Sequence, residues 1–107
     1  MGEKLTYMEI QSLQKQFGAD DLQRRVDDGS IWKWEGSTGR WAMDMLQVGV
    51  VMLPKVRTYD YYGNTIPSRL EIKTGTKGSF QRCEEFWRGV KNGDIEKIDA
   101  LHETFNK

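Results

Sequence analysis

The alternation of apolar and polar positions divides the chain into helical stretches separated by short extended ones. Leu5-Thr6-Tyr7-Met8-Glu9-Ile10 opens the first helix. Thr6 is placed as N-cap, Glu9 three residues on completes a capping box, and Leu5 and Ile10 flank it as a hydrophobic staple. Ile10, Leu13 and Phe17 then line one face, and Gly18 ends the helix. A second short helix is expected with Asp20 as cap, Leu22 and Val26 facing inward, and Gly29 as stop. Residues 30–35 set Trp32 and Trp34 on one side against Lys33 and Glu35, which predicts a short strand although Ile31 breaks the alternation.

Residues 36–40 read as a turn feeding a third helix from Trp41 to about Gln47. There Trp41, Met45 and Val48 fall at helical spacing, joined by Ala42 and Leu46, and Gly49 caps. Residues 50–53 are apolar and open on two β-branched residues, a pattern for a buried strand closed by Pro54. Residues 60–64 have turn composition, and Ile66-Pro67 keeps Ile66 out of the helical region. Arg69-Leu70-Glu71-Ile72-Lys73 alternates and predicts a strand with Leu70 and Ile72 inward. Residues 75–79 lead into a fourth helix striped by Phe80, Cys83, Phe86, Trp87 and Val90. Asn92-Gly93 ends it, and Asp94 caps a last helix with Ile95, Ile98, Leu101 and Phe105 inward. The sum is an α+β fold, one small domain over residues 1–107, with four to five helices and a small β-sheet.

Composition changes this picture little. Mean hydropathy is −0.70, yet four Trp, four Tyr, four Phe and five Met supply large buried areas, about 150–250 Å² for each aromatic. Cys83 is the single cysteine, which excludes an intramolecular disulfide framework and fits a reducing compartment. The Met-Gly-Glu-Lys start carries no apolar leader, Gly2 with Thr6 is a weak myristoylation start, and the longest apolar run, broken by Gly49, is too short for a membrane span. A cytoplasmic protein is expected, with no membrane partner and with self-association left open.

Charge is balanced overall but not along the chain. Residues 55–91 hold Lys55, Arg57, Arg69, Lys73, Lys77, Arg82, Arg88 and Lys91 against Asp60, Glu71, Glu84 and Glu85, while both flanks are acidic. That excess favours an anionic partner at the middle segment, or else serves to neutralise the ends.

The candidate chemistry lies in the same region. Gly36-Ser37-Thr38-Gly39-Arg40-Trp41 and Gly75-Thr76-Lys77-Gly78-Ser79-Phe80 share the pattern G-[ST]-x-G-x-aromatic, each before a predicted helix. Open amides at such helix starts, with the hydroxyls of Ser37, Thr38, Thr76 and Ser79 and the charges of Arg40 and Lys77, would suit a phosphate or carboxylate. Simple helix capping explains the same residues, and neither loop has the Walker order. Asp60, Tyr61, Tyr62, Asn64 and Arg69 form a second set. Adjacent Tyr point opposite ways in an extended chain, so at most one is core, and Tyr and Arg are favoured at binding hot spots. The alternative is that Asp60 and Asn64 only close a turn.

Catalytic readings are weak. His102 is the single histidine, so no multi-His or Cys/His metal cluster can form. A Cys83–His102 dyad competes with Cys83 as a small core residue on an apolar stripe. Asp27-Asp28 and Glu84-Glu85 fall on expected helix surfaces or ends with nothing to raise a pKa. Trp32 and Trp34 read as core, whereas Trp41 could face a ligand. Neither a metal nor a cofactor is implied.

The runs from Trp34 to Met43, Met52-Leu53-Pro54, Asp60 to Arg69 and Gly75 to Ser79 resemble small proteins encoded by bacteriophages and related mobile elements, over about residues 20–90. The resemblance implies a genomic setting and a bacterial host cell, but brings no established activity, cofactor or catalytic residue. The expectation is a non-enzymatic binding module that engages a host protein or an anionic small ligand through residues 36–41 and 59–79. An anti-CRISPR-like inhibitor of a host defence protein and a nucleotide sponge both fall within it. The alternative is a nucleic-acid-associated accessory protein using the basic middle segment.

Overall fold

The computed structural model describes residues 4–33 and 37–105. Helix α1 (Tyr7–Phe17) begins as its sequence dictates. The Thr6 hydroxyl accepts from the Glu9 N–H at 3.2 Å and the Glu9 carboxylate accepts from the Thr6 N–H at 3.2 Å, closing the capping box. Leu5 and Ile10 are buried, and Gly18 closes the helix with its N–H directed at the Gln14 and Lys15 carbonyls. Ala19 follows at once, fully buried, and is the N-cap of α2 (Asp20–Asp27) without a side-chain cap. Asp20 is therefore the first helical residue and not the cap, because the C-terminal closure of α1 runs directly into α2.

Over the described part of the expected strand, residues 30–33, no strand forms. Ser30–Lys33 is a 3₁₀ turn, in which neighbouring Ile31 and Trp32 are both buried. The Ser30 N–H is held by the Asp28 carboxylate at 2.8 Å and the Trp32 N–H by the Gly29 carbonyl at 3.2 Å, so local bonds win over extension. Trp34, Glu35 and Gly36 lie outside the described residues. Helix α3 (Ser37–Val48) starts four residues before the expected Trp41, so the expected turn at 37–40 is already its first turn.

The expected strand at residues 50–53 is also not a strand, although it is wholly buried. It is an irregular spine whose main chain is bonded largely by side chains. The Val50 carbonyl accepts from Gln14 Nε2 and from Trp87 Nε1, both at 2.9 Å. The Gln23 amide takes both main-chain groups of Met52, accepting from its N–H at 2.9 Å and donating to its carbonyl at 3.0 Å. Leu53 N–H reaches the Gly78 carbonyl at 2.8 Å. Every buried backbone group needs a partner, and here two buried glutamines and a tryptophan take the place of a neighbouring strand.

The sheet is instead a hairpin, β1 (Thr58–Tyr59) antiparallel to β2 (Thr65–Ile66), with Thr58 opposite Ile66 and Tyr59 opposite Thr65. The expected strand at residues 69–73 is a series of turns, and Leu70, expected inward, is 80% exposed while Ile72 is half-buried. Ser68-x-x-Glu71 is a capping-box pattern used here to close a turn: the Glu71 carboxylate accepts from the Ser68 N–H at 2.7 Å, and Glu71 N–H donates to the Ser68 carbonyl at 3.1 Å.

Helix α4 (Phe80–Lys91) carries its stripe as expected, with Cys83, Phe86, Trp87 and Val90 buried and Ser79 as N-cap. Glu84, expected on the surface, is buried and bonded to the Leu5 N–H at 3.0 Å and to Arg88 at 3.2 Å. Helix α5 (Ile95–Phe105) buries Leu101 and half-buries Ile98 and Phe105, but Ile95 on its first turn is 71% exposed. Helix α1 packs on α2, α4 and α5, and α3 packs on α4 and the 3₁₀ turn. The radius of gyration, 13.3 Å, matches the roughly 13 Å of one compact domain of this length. The fold is thus α+β: five α-helices and one two-stranded antiparallel hairpin among the described residues.

Candidate functional site

A cleft of about 180 Å³ opens between the first turns of α3 and the hairpin. Gly39, Arg40 and Met43 line one wall, Asp60, Tyr61 and Tyr62 the other, and Trp32 with Ile66 lies between. Starting α3 at Ser37 puts Gly39 four and Arg40 three residues before Met43, so that each neighbours Met43 on the helix surface. Main-chain closeness brings the hairpin in. Gly29 sits at φ +79°, and a Cβ there would lie 2.8 Å from Thr58 Oγ1, so the start of β1 rests on the corner between α2 and the 3₁₀ turn that holds Trp32.

The hairpin tip is tied internally. The Asp60 carboxylate accepts from the Tyr62 N–H at 2.9 Å, the Asn64 N–H at 2.8 Å and Asn64 Nδ2 at 3.2 Å, and Asp60 N–H donates to the Asn64 carbonyl at 2.9 Å. Asp60 and Asn64 therefore close the turn, and Asp60 also borders the cleft. Tyr61 and Tyr62 stack edge-to-face at 5.1 Å and are both exposed, so neither is core. The expectation that they diverge fails because strand alternation does not hold inside a turn.

Two groups give the cleft its chemistry. Trp32 is 3% exposed, and its indole N–H has no hydrogen-bond partner among the described residues. Arg40 is exposed and forms no ion pair among the described residues. A buried N–H donor and a guanidinium beside an apolar, aromatic surface can receive a flat ring that carries acceptor or anionic groups. Trp32 was expected to be core and is also cleft lining; Met43 and Ile66 were not anticipated, and only the earlier helix start would have grouped Met43 with Arg40.

The second Gly loop does not join this cleft. Residues 75–79 are tight turns, with Thr76 N–H on the Lys73 carbonyl at 3.1 Å and Ser79 N–H on the Thr76 carbonyl at 2.9 Å. The buried Ser79 hydroxyl accepts from the Arg82 N–H at 3.1 Å, while Thr76 and Lys77 are exposed. The echo between the two loops is thus one of sequence, since one is helix and the other turn. Ser37 and Thr38 lie in the first turn of α3. Arg69 lies outside the cleft lining, with its guanidinium 4.9 Å from the Tyr7 ring, and Trp41 packs on Phe105 at 5.6 Å instead of lining the cleft.

Cys83 is fully buried, and burial pushes its thiol up. Its Sγ approaches the Val50 carbonyl at 3.9 Å, whereas the His102 ring lies against Phe17 at 6.0 Å, so the two are engaged separately. No group of three or more His, Cys, Asp or Glu that could hold a metal ion is present among the described residues, and no helix there is long and apolar enough to cross a membrane. A scan against protein-family models and searches of curated proteins and of solved structures found no match.

Proposed function

We propose that the protein is a binding module with no reaction of its own, and that the cleft between α3 and the hairpin holds the ring of a small anionic ligand of the nucleotide class. The observation that carries this reading is that Trp32, whose buried indole N–H is unpartnered among the described residues, lines a cleft shared with Arg40. The size agrees. A cavity of about 150 Å³ accepts benzene, so about 180 Å³ takes one ring system and leaves the remainder of the ligand at the rim beside Arg40. Stacking a base on a tyrosine contributes on the order of 1–3 kcal/mol. In the phage-like setting that the sequence resembles, such a module acts by sequestering a signalling nucleotide.

A second reading, an inhibitor docked on a host defence protein, is favoured by the rim: Arg40, Met43, Tyr61 and Tyr62 are exposed and belong to residue types enriched in protein interfaces. The nucleic-acid reading draws less support. Of the basic middle segment, Arg57, Arg88 and Lys91 are paired with Glu71, Glu84 and Glu9, which breaks up any continuous cationic track.

Native mass spectrometry of the protein purified from a bacterial cell tests this reading. A small-molecule adduct in the wild type, absent from Arg40→Ala and Tyr61→Ala variants that melt normally, is the expected result. If mono- and dinucleotides neither co-purify nor shift the amide resonances of residues around the cleft, the nucleotide reading fails. Stoichiometric capture of a protein by the same residues would replace it with the inhibitor reading.

A further inference from the structure

We propose a second ligand site, separate from the hairpin cleft, at Tyr7, Lys55 and Arg69, that takes the phosphate group of a small organic phosphate. Lys55 Nζ lies 5.5 Å and Arg69 Cζ 4.9 Å from the centroid of the Tyr7 ring. One cation at an aromatic ring is a familiar contact. Two at the same ring repel each other, and neither has a carboxylate within ion-pair distance among the described residues. Asp27, whose charge is felt by both, has its carboxylate bonded to Gln23 Nε2 at 3.0 Å. Arg69 Nη1 is moreover buried with no acceptor among the described residues. A buried guanidinium N–H without an acceptor forgoes the hydrogen bond that water would have supplied, which marks the place where an acceptor belongs.

The walls of the adjoining cavity, about 520 Å³, name the acceptor. Thr74 and Gln81 add a hydroxyl and an amide, and no carboxylate lines it among the described residues. Two cations with neutral donors match a phosphate monoester, a near-dianion at neutral pH, better than a singly charged carboxylate. Leu70, 80% exposed, and half-buried Phe80 give the same cavity an apolar side. That side selects an organic phosphate over the bare ion, since the organic group covers surface otherwise left in water.

Thermal melting with n-butyl phosphate, inorganic phosphate and butyrate, none of which carries the ring proposed for the hairpin cleft, tests the site. Butyl phosphate is expected to raise the melting temperature of the wild type by roughly 5 °C at about ten times its Kd, inorganic phosphate to raise it less, and butyrate to leave it unchanged. The shift is expected to vanish in Arg69→Gln, to need at least about tenfold more ligand in Lys55→Gln by loss of one charge-assisted contact, and to persist in Arg40→Gln, which reports on the hairpin cleft alone. Should Arg69→Gln melt too low for comparison, Lys55→Gln carries the test, because Lys55 is an exposed side chain. Absence of a shift with either phosphate, an undiminished shift in Lys55→Gln, its loss in Arg40→Gln, or an equal effect of butyrate would each overturn the proposal.

Discussion

Replacing Gln23 with Met tests whether side chains, and not a neighbouring strand, hold the buried spine at residues 50–53. Met has nearly the volume of Gln, so the change leaves packing almost intact and removes only polar atoms. It strips the Met52 N–H of its acceptor at 2.9 Å and the Met52 carbonyl of its donor at 3.0 Å, in a residue with 0% exposure. It also removes one of the two acceptors of Gln14 Nε2, leaving the Val50 carbonyl. Each stranded buried group costs about 1–3 kcal/mol. Two give roughly 2–5 kcal/mol once the better burial of a thioether offsets part of the loss, a large share of the typical 5–15 kcal/mol of a whole domain. Urea unfolding followed by far-UV circular dichroism should show the midpoint falling with an unchanged slope, and thermal melting a drop of about 8–20 °C. Gln16→Met on the exposed face of α1 is the control, expected within about 0.5 kcal/mol of wild type. A Gln23→Met protein equally close to wild type would refute the account of the spine.

Two further outcomes test the turns around the spine. Gly78→Ala should destabilise the protein clearly more than Gly75→Ala in parallel thermal melts. Both residues have positive φ, +85° and +88°, but a Cβ on Gly78 would meet Leu53 Cγ at 2.6 Å while one on Gly75 meets nothing within 4 Å. The left-handed backbone costs about 1–2 kcal/mol at either site, and overpacking adds roughly 1–3 kcal/mol at Gly78 alone. The Arg57 guanidinium and the Ser68 N–H hold the Glu71 carboxyl at about 2, below its usual 4.5. A depressed acid stabilises the fold above its unfolded pKa and loses that contribution as pH falls towards its folded one. Glu71→Gln should therefore flatten the stability profile between pH 4.5 and about 2, and a wild-type slope retained by the variant would show that other carboxyls set it.

What could be read from the sequence was local, and what could not was relational. The Thr6–Glu9 capping box, the α4 stripe and the turn at residues 60–64 are specified by residues within a few positions of one another, so their patterns carried them. A strand, by contrast, exists only beside another. The segment at 50–53 looked like a strand and finds no strand partner, because Gln14 and Gln23, set in helices 36 and 29 residues away in sequence, bind its main chain instead. The alternation at 69–73 misled for the opposite reason: the Ser68–Glu71 bond closes a turn that five alternating residues cannot resist. Of the site, Arg40, Asp60, Tyr61 and Tyr62 were legible from composition, whereas Trp32 stood out only as core. That a residue can be 3% exposed and still present an unused donor beside a cleft is a fact of three dimensions.

The same relations determine why the cleft lies where it does. The hairpin has two residues per strand, far too few to hold its own position, so its placement comes from contacts at its base and from buried Ile66. At the base, Arg57 is bonded to Glu71, and Thr58 rests against the space left by the missing side chain of Gly29. At the tip, the Asp60 carboxylate collects three donors and fixes the turn that carries Tyr61 and Tyr62. The opposite wall is the first turns of α3, an element packed on α4 and the 3₁₀ turn. Both walls are therefore set before any ligand arrives, and a ligand entering between them pays little for ordering the backbone. Preorganisation of that kind lets a small cleft bind with useful affinity despite limited contact area.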